Sequence, residues 1–199
     1  TTLGALLIAV PMGIGTAIVI TELAPPWVRD FLQSIARLLA SIPSVIYGLI
    51  GVLLIVPFIS DNLIANNISV DDQIRFLKEG FQLSGRSMLA GIVVLSIMII
   101  PVIIALSVDA IKAVPKHCKE AGLALGLSHW RTIVKIIIPS AKSGILAGVI
   151  LATGRALGEA IALSMVSGGL ANIPNPAHGP VFFLTPVLTL ASAIVNKSE

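Results

Sequence analysis

The sequence predicts an all-α, polytopic helical membrane protein, and three observations carry that prediction. The 199 residues are 56% hydrophobic and only 12% charged, with a mean hydropathy of +1.00. A soluble domain has roughly a quarter of its residues charged, so this composition cannot enclose a water-soluble globule. Disorder and nucleic-acid binding are excluded with it, because both need charge that is not present. Second, four apolar stretches reach the ~20 residues a helix needs to cross a hydrocarbon core with its backbone polar groups satisfied internally. Third, Pro or several Gly recur inside each stretch, as they do in membrane helices. A single cysteine, Cys118, rules out an internal disulfide framework. The chain opens at Thr1 straight into apolar sequence without a basic leader or cleavage signal, so an interior cut of a longer polytopic protein is expected.

The elements follow in order. The first span, 1–21, holds no charge, and neither does the second, 38–60, or the third, 87–108. Between the first two lies a loop from Glu22 to Arg37. A fourth span, 143–168, is long enough but contains Arg155 and Glu159. The later apolar run from Pro180 to Val195 is short and interrupted by Pro186, which fits a re-entrant or interfacial piece or a fifth helix cut short. Lys and Arg set the orientation. The loops 22–37 and 109–142 hold eight of them, against four on the other side (Arg75, Lys78, Arg86 and Lys197). The positive-inside rule therefore puts 109–142 in the cytoplasm and the loops 61–86 and 169–199 outside.

The loop 109–142 is too long for a simple connector. Pro115 suits the start of a helix through Leu125, Gly126 a left-handed cap, and Ser128 the cap of a second helix through Ile138, before Pro139 leads into the fourth span. Such a hairpin can lie on anionic lipid. Its sequence is also distinctive. Glu120-Ala121-Gly122, then Gly126, then Ile136, Ile138 and Pro139 resembles the Glu-Ala-Ala loop of ABC importer permeases, with Gly122 replacing the second Ala and Ile138 replacing Leu at unchanged spacing. The resemblance implies that Glu120, Ala121, Gly122 and Gly126 belong to a coupling element that docks on a cytoplasmic ATP-binding subunit. The residues themselves agree: Ala121, Ala124 and Gly126 let another surface approach closely. Lys116 is one turn from Glu120, a pair worth only a few tenths of a kcal/mol. His117, Cys118 and His129 do not share a face and read as solvated rather than as metal ligands.

In the fourth span a central Arg costs ~2.5–3.5 kcal/mol to insert. At 100° per residue Gly144, Gly148, Ala152, Arg155, Gly158, Glu159 and Ala162 share one stripe, with Leu151 as its exception. Leu146, Val149, Ile150, Leu157 and Ile161 lie opposite. Arg155 and Glu159, four apart, can pair. One reading is an ion pair that only orders the bundle; the other is a charge pair on a translocation path, where Arg155 attracts an oxyanion and Glu159 keeps it from being held too tightly.

Gly154-Arg-Ala-Leu-Gly-Glu-Ala160 resembles the corresponding helix of phosphate-specific ABC importer permeases. So do Leu39-Ala-Ser-Ile-Pro-Ser-Val-Ile-Tyr-Gly-Leu-Ile-Gly51 and the opening Leu6-Leu-Ile-Ala-Val-Pro-Met-Gly-Ile-Gly15 followed by Glu22. The run Ala160-Ile-Ala-Leu-Ser-Met-Val-Ser-Gly168 is closer to the C-type subunit than to the A-type. The resemblance implies a type I importer permease fold, a cell-membrane location and further helices before Thr1 and after Val195. It also implies a second homologous permease subunit, cytoplasmic ATP-binding subunits and an extracytoplasmic phosphate-binding protein as partners. It places Arg155 and Glu159 on the phosphate path. Ser44 and Tyr47 can add hydroxyl donors there, or can satisfy backbone freed by Pro43. The chain has no phosphate-cradling Gly-x-x-x-x-Gly-Lys-Ser/Thr loop, so no cofactor is expected in it and ATP is bound by a partner. Two rivals are a permease of the same fold for another oxyanion or small solute, and an intramembrane hydrolase built on Ser164, Ser167 and His178.

Overall fold

The computed structural model describes residues 1–64, 85–168, 183–184, 186–187, 189 and 193–194. Among them seven helices account for nearly all the ordered backbone. They are α1 (Thr2–Leu23), α2 (Pro26–Ser41), α3 (Ser44–Asn62), α4 (Met88–Lys112), α5 (Lys116–Ala124), α6 (His129–Gly158) and α7 (Ile161–Ser167). Helices α1, α3, α4 and α6 are long and apolar enough to cross a membrane. The expected extracytoplasmic stretch from Asp61 to Gly85 lies mostly outside the described residues, as does most of the apolar run from Pro180 to Val195.

Three proline-linked turns shape these helices. Widened π-type turns at Val19–Leu23, Gly51–Ile55 and Ile133–Ile137 each stand two residues before a proline: Pro25, Pro57 and Pro139. A proline ring clashes with the carbonyl four residues back and cannot donate to it. Widening the preceding turn so that the bond spans five residues moves that carbonyl aside. At Pro25 the helix ends. At Pro57 and Pro139 it continues, so the separate helix expected from Ser128 to Ile138 is joined to the fourth span as one element, α6.

Two other boundaries differ from the hydropathy reading. The second apolar helix starts at Ser44, where that reading starts it at Leu38, because Pro43 sits in extended backbone with ψ 138° and separates α2 from α3. The segment read as a loop after Glu22 is mostly the amphipathic helix α2. The fourth span is broken at Glu159 and Ala160, between α6 and α7.

The chain packs as two compact units. One comprises residues 1–5, 42–98 and 156–199. In it α7 lies against α3 at Gly48, where a Cβ would stand 2.9 Å from Ala162 Cα, and a Cβ on Gly51 would stand 2.6 Å from Val94 Cγ2. Small residues let membrane helices approach this closely, because dispersion between backbones replaces a hydrophobic drive. Gly168, at φ +91°, ends α7 in the left-handed region.

The other unit comprises residues 6–41 and 99–155. Its core joins Ala17 and Ile20 of α1, Val108 and Ile111 of α4, and Ile133, Ile137, Ala141 and Ile145 of α6. Gly144 and Gly148 of α6 pack on Ala110 and Leu106 of α4. Up to Ala152 the small stripe of α6 is therefore the packed one, and Leu146 and Ile150 are exposed as a lipid-facing surface requires. Leu151 is also exposed rather than among the small residues. Helix α2 is fastened by polar groups: buried Gln33 donates to Asp109 Oδ1 at 2.9 Å and accepts from Lys112 Nζ, and Arg37 Nη2 donates to the same Asp109 oxygen at 2.8 Å.

Candidate functional site

Arg155 lies in the last turn of α6, half-buried, and its Nη1 donates to the carbonyl oxygen of Ala40 at 2.7 Å. Ala40 is the penultimate residue of α2, where carbonyls have no partner within the helix. A guanidinium there satisfies one of them and complements the negative end of the helix dipole.

Glu159 is not helical. It sits in the break after Gly158, 8% exposed, and its Oε1 accepts from the backbone N–H of Ala162 at 3.0 Å. The carboxylate thus caps the start of α7, taking one of the donors a helix leaves open. The helical stripe argument does not extend to it, because the 100° period stops at Gly158. In the same unit Tyr47 is buried within α3 and Ser44 is half-buried at that helix's start.

The hairpin of α5 and the start of α6 takes the geometry its punctuation predicts. Pro115, in extended backbone, precedes α5. Gly126, at φ +77°, follows it, with Leu127 N–H bonded to Gly122 O at 3.2 Å and Gly126 N–H to Leu123 O at 2.9 Å. That pair of bonds is a Schellman cap, which needs a left-handed residue and so favours glycine. Ser128 Oγ accepts from Arg131 N–H and caps α6. Glu120, Ala121 and Gly126 are exposed, whereas Gly122 turns inward. A Cβ on Gly122 would stand 2.5 Å from Ile136 Cδ1 and 3.0 Å from Thr132 Cγ2. Among the described residues Glu120 makes no ion pair, with Lys116 or any other cation.

A second charged cluster was not legible as a site. The side chain of Glu22, at the end of α1, is 8% exposed, pairs with Lys119 of α5, and has His129 Nε2 at 4.0 Å. It ties the end of α1 to both arms of the hairpin. His129, read as solvated, is thus half-exposed beside a carboxylate.

The sequence profile of a family described as the inner membrane component of binding-protein-dependent transport systems matches residues 9–195. The chain belongs to that family. The four apolar helices among the described residues agree with a multi-pass membrane component of that family. Among its relatives, a probable ABC transporter permease protein, YqgH of Bacillus subtilis, is 40% identical over 92% of this chain and 54% of its own length. The phosphate transport system permease proteins PstC of Pasteurella multocida and PstC 1 of Mycobacterium tuberculosis are 37% and 35% identical, over 97% and 98% of this chain and 59% and 57% of theirs. The chain spans a little over half the length of these curated relatives.

For a transport component the serines of α7 have an ordinary structural use. Ser164 Oγ donates to Ile161 O at 2.8 Å and Ser167 Oγ to Leu163 O at 2.6 Å, so both hydroxyl protons are directed into the helix rather than to a base. His178, the third residue of the hydrolase reading, lies outside the described residues.

Proposed function

We propose that the chain is part of a permease subunit of an ATP-driven phosphate importer, and that it forms half of the translocation path. The observation that carries this is the 35–37% identity to phosphate transport permeases across nearly the whole chain. A homologous second permease subunit completes the path, an extracytoplasmic phosphate-binding protein delivers the anion, and cytoplasmic ATP-binding subunits supply the work. The 109–142 loop is the cytoplasmic docking element. Its exposed tip supports that role: Leu125 is 81% exposed and Trp130 62%, apolar area on the same hairpin as Glu120, which has no ion pair among the described residues. Glu120, Ala121 and Gly126 meet the ATP-binding subunit, and Gly122 keeps the two arms closed beneath them.

Arg155 is the cation of the path. Its guanidinium, at membrane depth, attracts an anion far more strongly than it would in water. Glu159, four residues further along, moderates that attraction, and Ser44 and Tyr47 supply hydroxyl donors. Transport of another oxyanion by the same fold is the alternative. Proteoliposomes holding the complete complex with its binding protein separate the two: ATP-dependent accumulation of labelled phosphate but not sulfate or molybdate supports this function, and accumulation of one of the others instead overturns it.

A further inference from the structure

One cavity lies apart from the path residues and from the exposed tip of the hairpin, although much of its wall belongs to the 109–142 loop. It occupies about 360 Å³ between the end of α1, the start of α2, the end of α4 and the start of α5. Its charged lining is Glu22, Arg29, Lys112, Lys116 and Lys119, four cations against one carboxylate, above apolar Ile111, Val114 and Ile137. The partners in the fold do not consume this charge. Glu22 neutralises Lys119. Lys112 donates to neutral Gln33 and stands 3.8 Å from Asp30, a carboxylate that is itself exposed. Lys116 has no hydrogen bond or ion pair among the described residues. Arg29 is the most telling. Its Nη2 makes one long contact of 3.4 Å to Ala24 O, and its Nε is shielded from solvent without an acceptor among the described residues.

A guanidinium N–H removed from water and left unpaired costs the full desolvation of a charged donor. A ligand that brings an acceptor to it recovers that cost. The acceptor is anionic, since Arg29 and Lys116 are both unneutralised at short range. It carries several oxygens, since the donors converge from different elements. Lys116 also opens α5, whose first N–H groups add positive potential on the same side. The space holds many water molecules, more than one phosphate ion needs. The apolar wall under the cations suits the carbon that a phosphate ester carries.

We propose that this cavity binds the phosphate oxyanion of a phosphomonoester or phosphodiester, with Arg29 and Lys116 as direct ligands and Lys112 as a third. Such a group comes from an anionic lipid headgroup or from free phosphate in solution. Basic pockets at the ends of membrane helices on the cytoplasmic side favour the first source. The inference does not depend on which solute the protein carries, because none of its residues is on the assigned path.

The test uses the complete transporter in nanodiscs of phosphatidylcholine, with or without phosphatidylglycerol. Tightly retained lipid is counted by native mass spectrometry. In parallel, inorganic phosphate is titrated onto the lipid-depleted complex by phosphorus NMR line broadening. Phosphatidylglycerol is expected to be retained over phosphatidylcholine, with affinity falling roughly fivefold for each charge removed in Arg29→Gln and Lys116→Gln. Lys135→Gln, an exposed cation away from the cavity, is expected to leave it unchanged. Phosphate broadening reduced in those two variants but unchanged in Lys135→Gln, with no lipid preference, would assign the free ion instead. Lys116 is exposed, so its substitution leaves the fold intact. The proposal is overturned if the unmodified complex prefers neither probe, or if Lys135→Gln weakens binding as much as Lys116→Gln.

Discussion

Arg155 Nη1 and the carbonyl oxygen of Ala40 meet at 2.7 Å although 115 residues separate them in the chain. The bond places a permanent cation at the carbonyl end of α2 and gives Arg155 a structural task independent of any solute. Replacing it with methionine keeps much of the volume and removes the donor. A hydrogen bond to a charged group is worth about 1.5–3 kcal/mol, so the end of α2 is expected to fray. Hydrogen exchange at Leu39 to Ile42 should accelerate in Arg155→Met and much less in Arg155→Lys. Unchanged protection in the methionine variant would show that the bond does not hold the helix end.

The Glu22–Lys119 pair makes a sharper demand on stability. The Glu22 side chain is nearly buried, so Lys119→Met leaves a carboxylate whose remaining ion-pair partner among the described residues is His129 at 4.0 Å. Breaking a buried pair from one side costs about 3–5 kcal/mol; Lys119 is partly exposed, and about 2–3 kcal/mol is the expected loss after allowing for its solvent screening. The double variant Glu22→Leu with Lys119→Met should recover most of it, because no orphan charge remains. Thermal unfolding of the single and double variants checks this, and equal destabilisation in both would contradict it.

At Gly122 the closest neighbour is the far end of the flexible Ile136 side chain, but Thr132 behind it is fully buried and β-branched. Gly122→Ala is expected to be absorbed by a rotamer change at Ile136. Gly122→Leu overpacks the hairpin at a cost of about 1–3 kcal/mol and pries its arms apart. Crosslinking yields between cysteines placed on the two arms should be normal for alanine and reduced for leucine.

Within this chain a side chain at Gly126 strains only the cap, since nothing lies within 4 Å of a Cβ built there, and in the complex it also stands at the proposed docking surface. Gly126→Val costs only the left-handed backbone, about 1–2 kcal/mol, and Gly126→Asn costs less because asparagine tolerates that region. Stimulation of ATP hydrolysis in the complex should fall in the order glycine, asparagine, valine. Valine equal to glycine would mean that the cap does not set the hairpin's shape.

Local signals were legible where a physical cause acts within a few residues. Apolar length marked the four helices that are long and apolar enough to cross a membrane, with the start of the second and both ends of the fourth displaced, and Gly126 and Ser128 marked the hairpin's turn and cap. Helix α2 was hidden because a search for uncharged length passes over an amphipathic segment whose charges point to polar partners, as Arg37 does to Asp109. The break at Glu159 was hidden because Ala156, Leu157, Ala160 and Leu163 suit a helix and an isolated glycine such as Gly158 is common in membrane helices. The carboxylate there caps α7 instead, and periodicity does not report a cap made by a residue outside the helix. The burial of Glu22 depends on Lys119, 97 residues away, and no local pattern carries that distance. Of the residues expected on the path, the pairing of Arg155 with Glu159 was argued from a continuous helix that ends between them.

The most direct test of the account is labelled-phosphate uptake by proteoliposomes of the complete complex carrying Arg155→Met or Arg155→Lys, with subunit stoichiometry checked in each. The methionine variant should assemble, hydrolyse ATP and carry no phosphate, while the lysine variant keeps part of the uptake at higher phosphate concentration. Uptake at the unmodified rate by the methionine variant would contradict the claim that Arg155 meets the travelling anion.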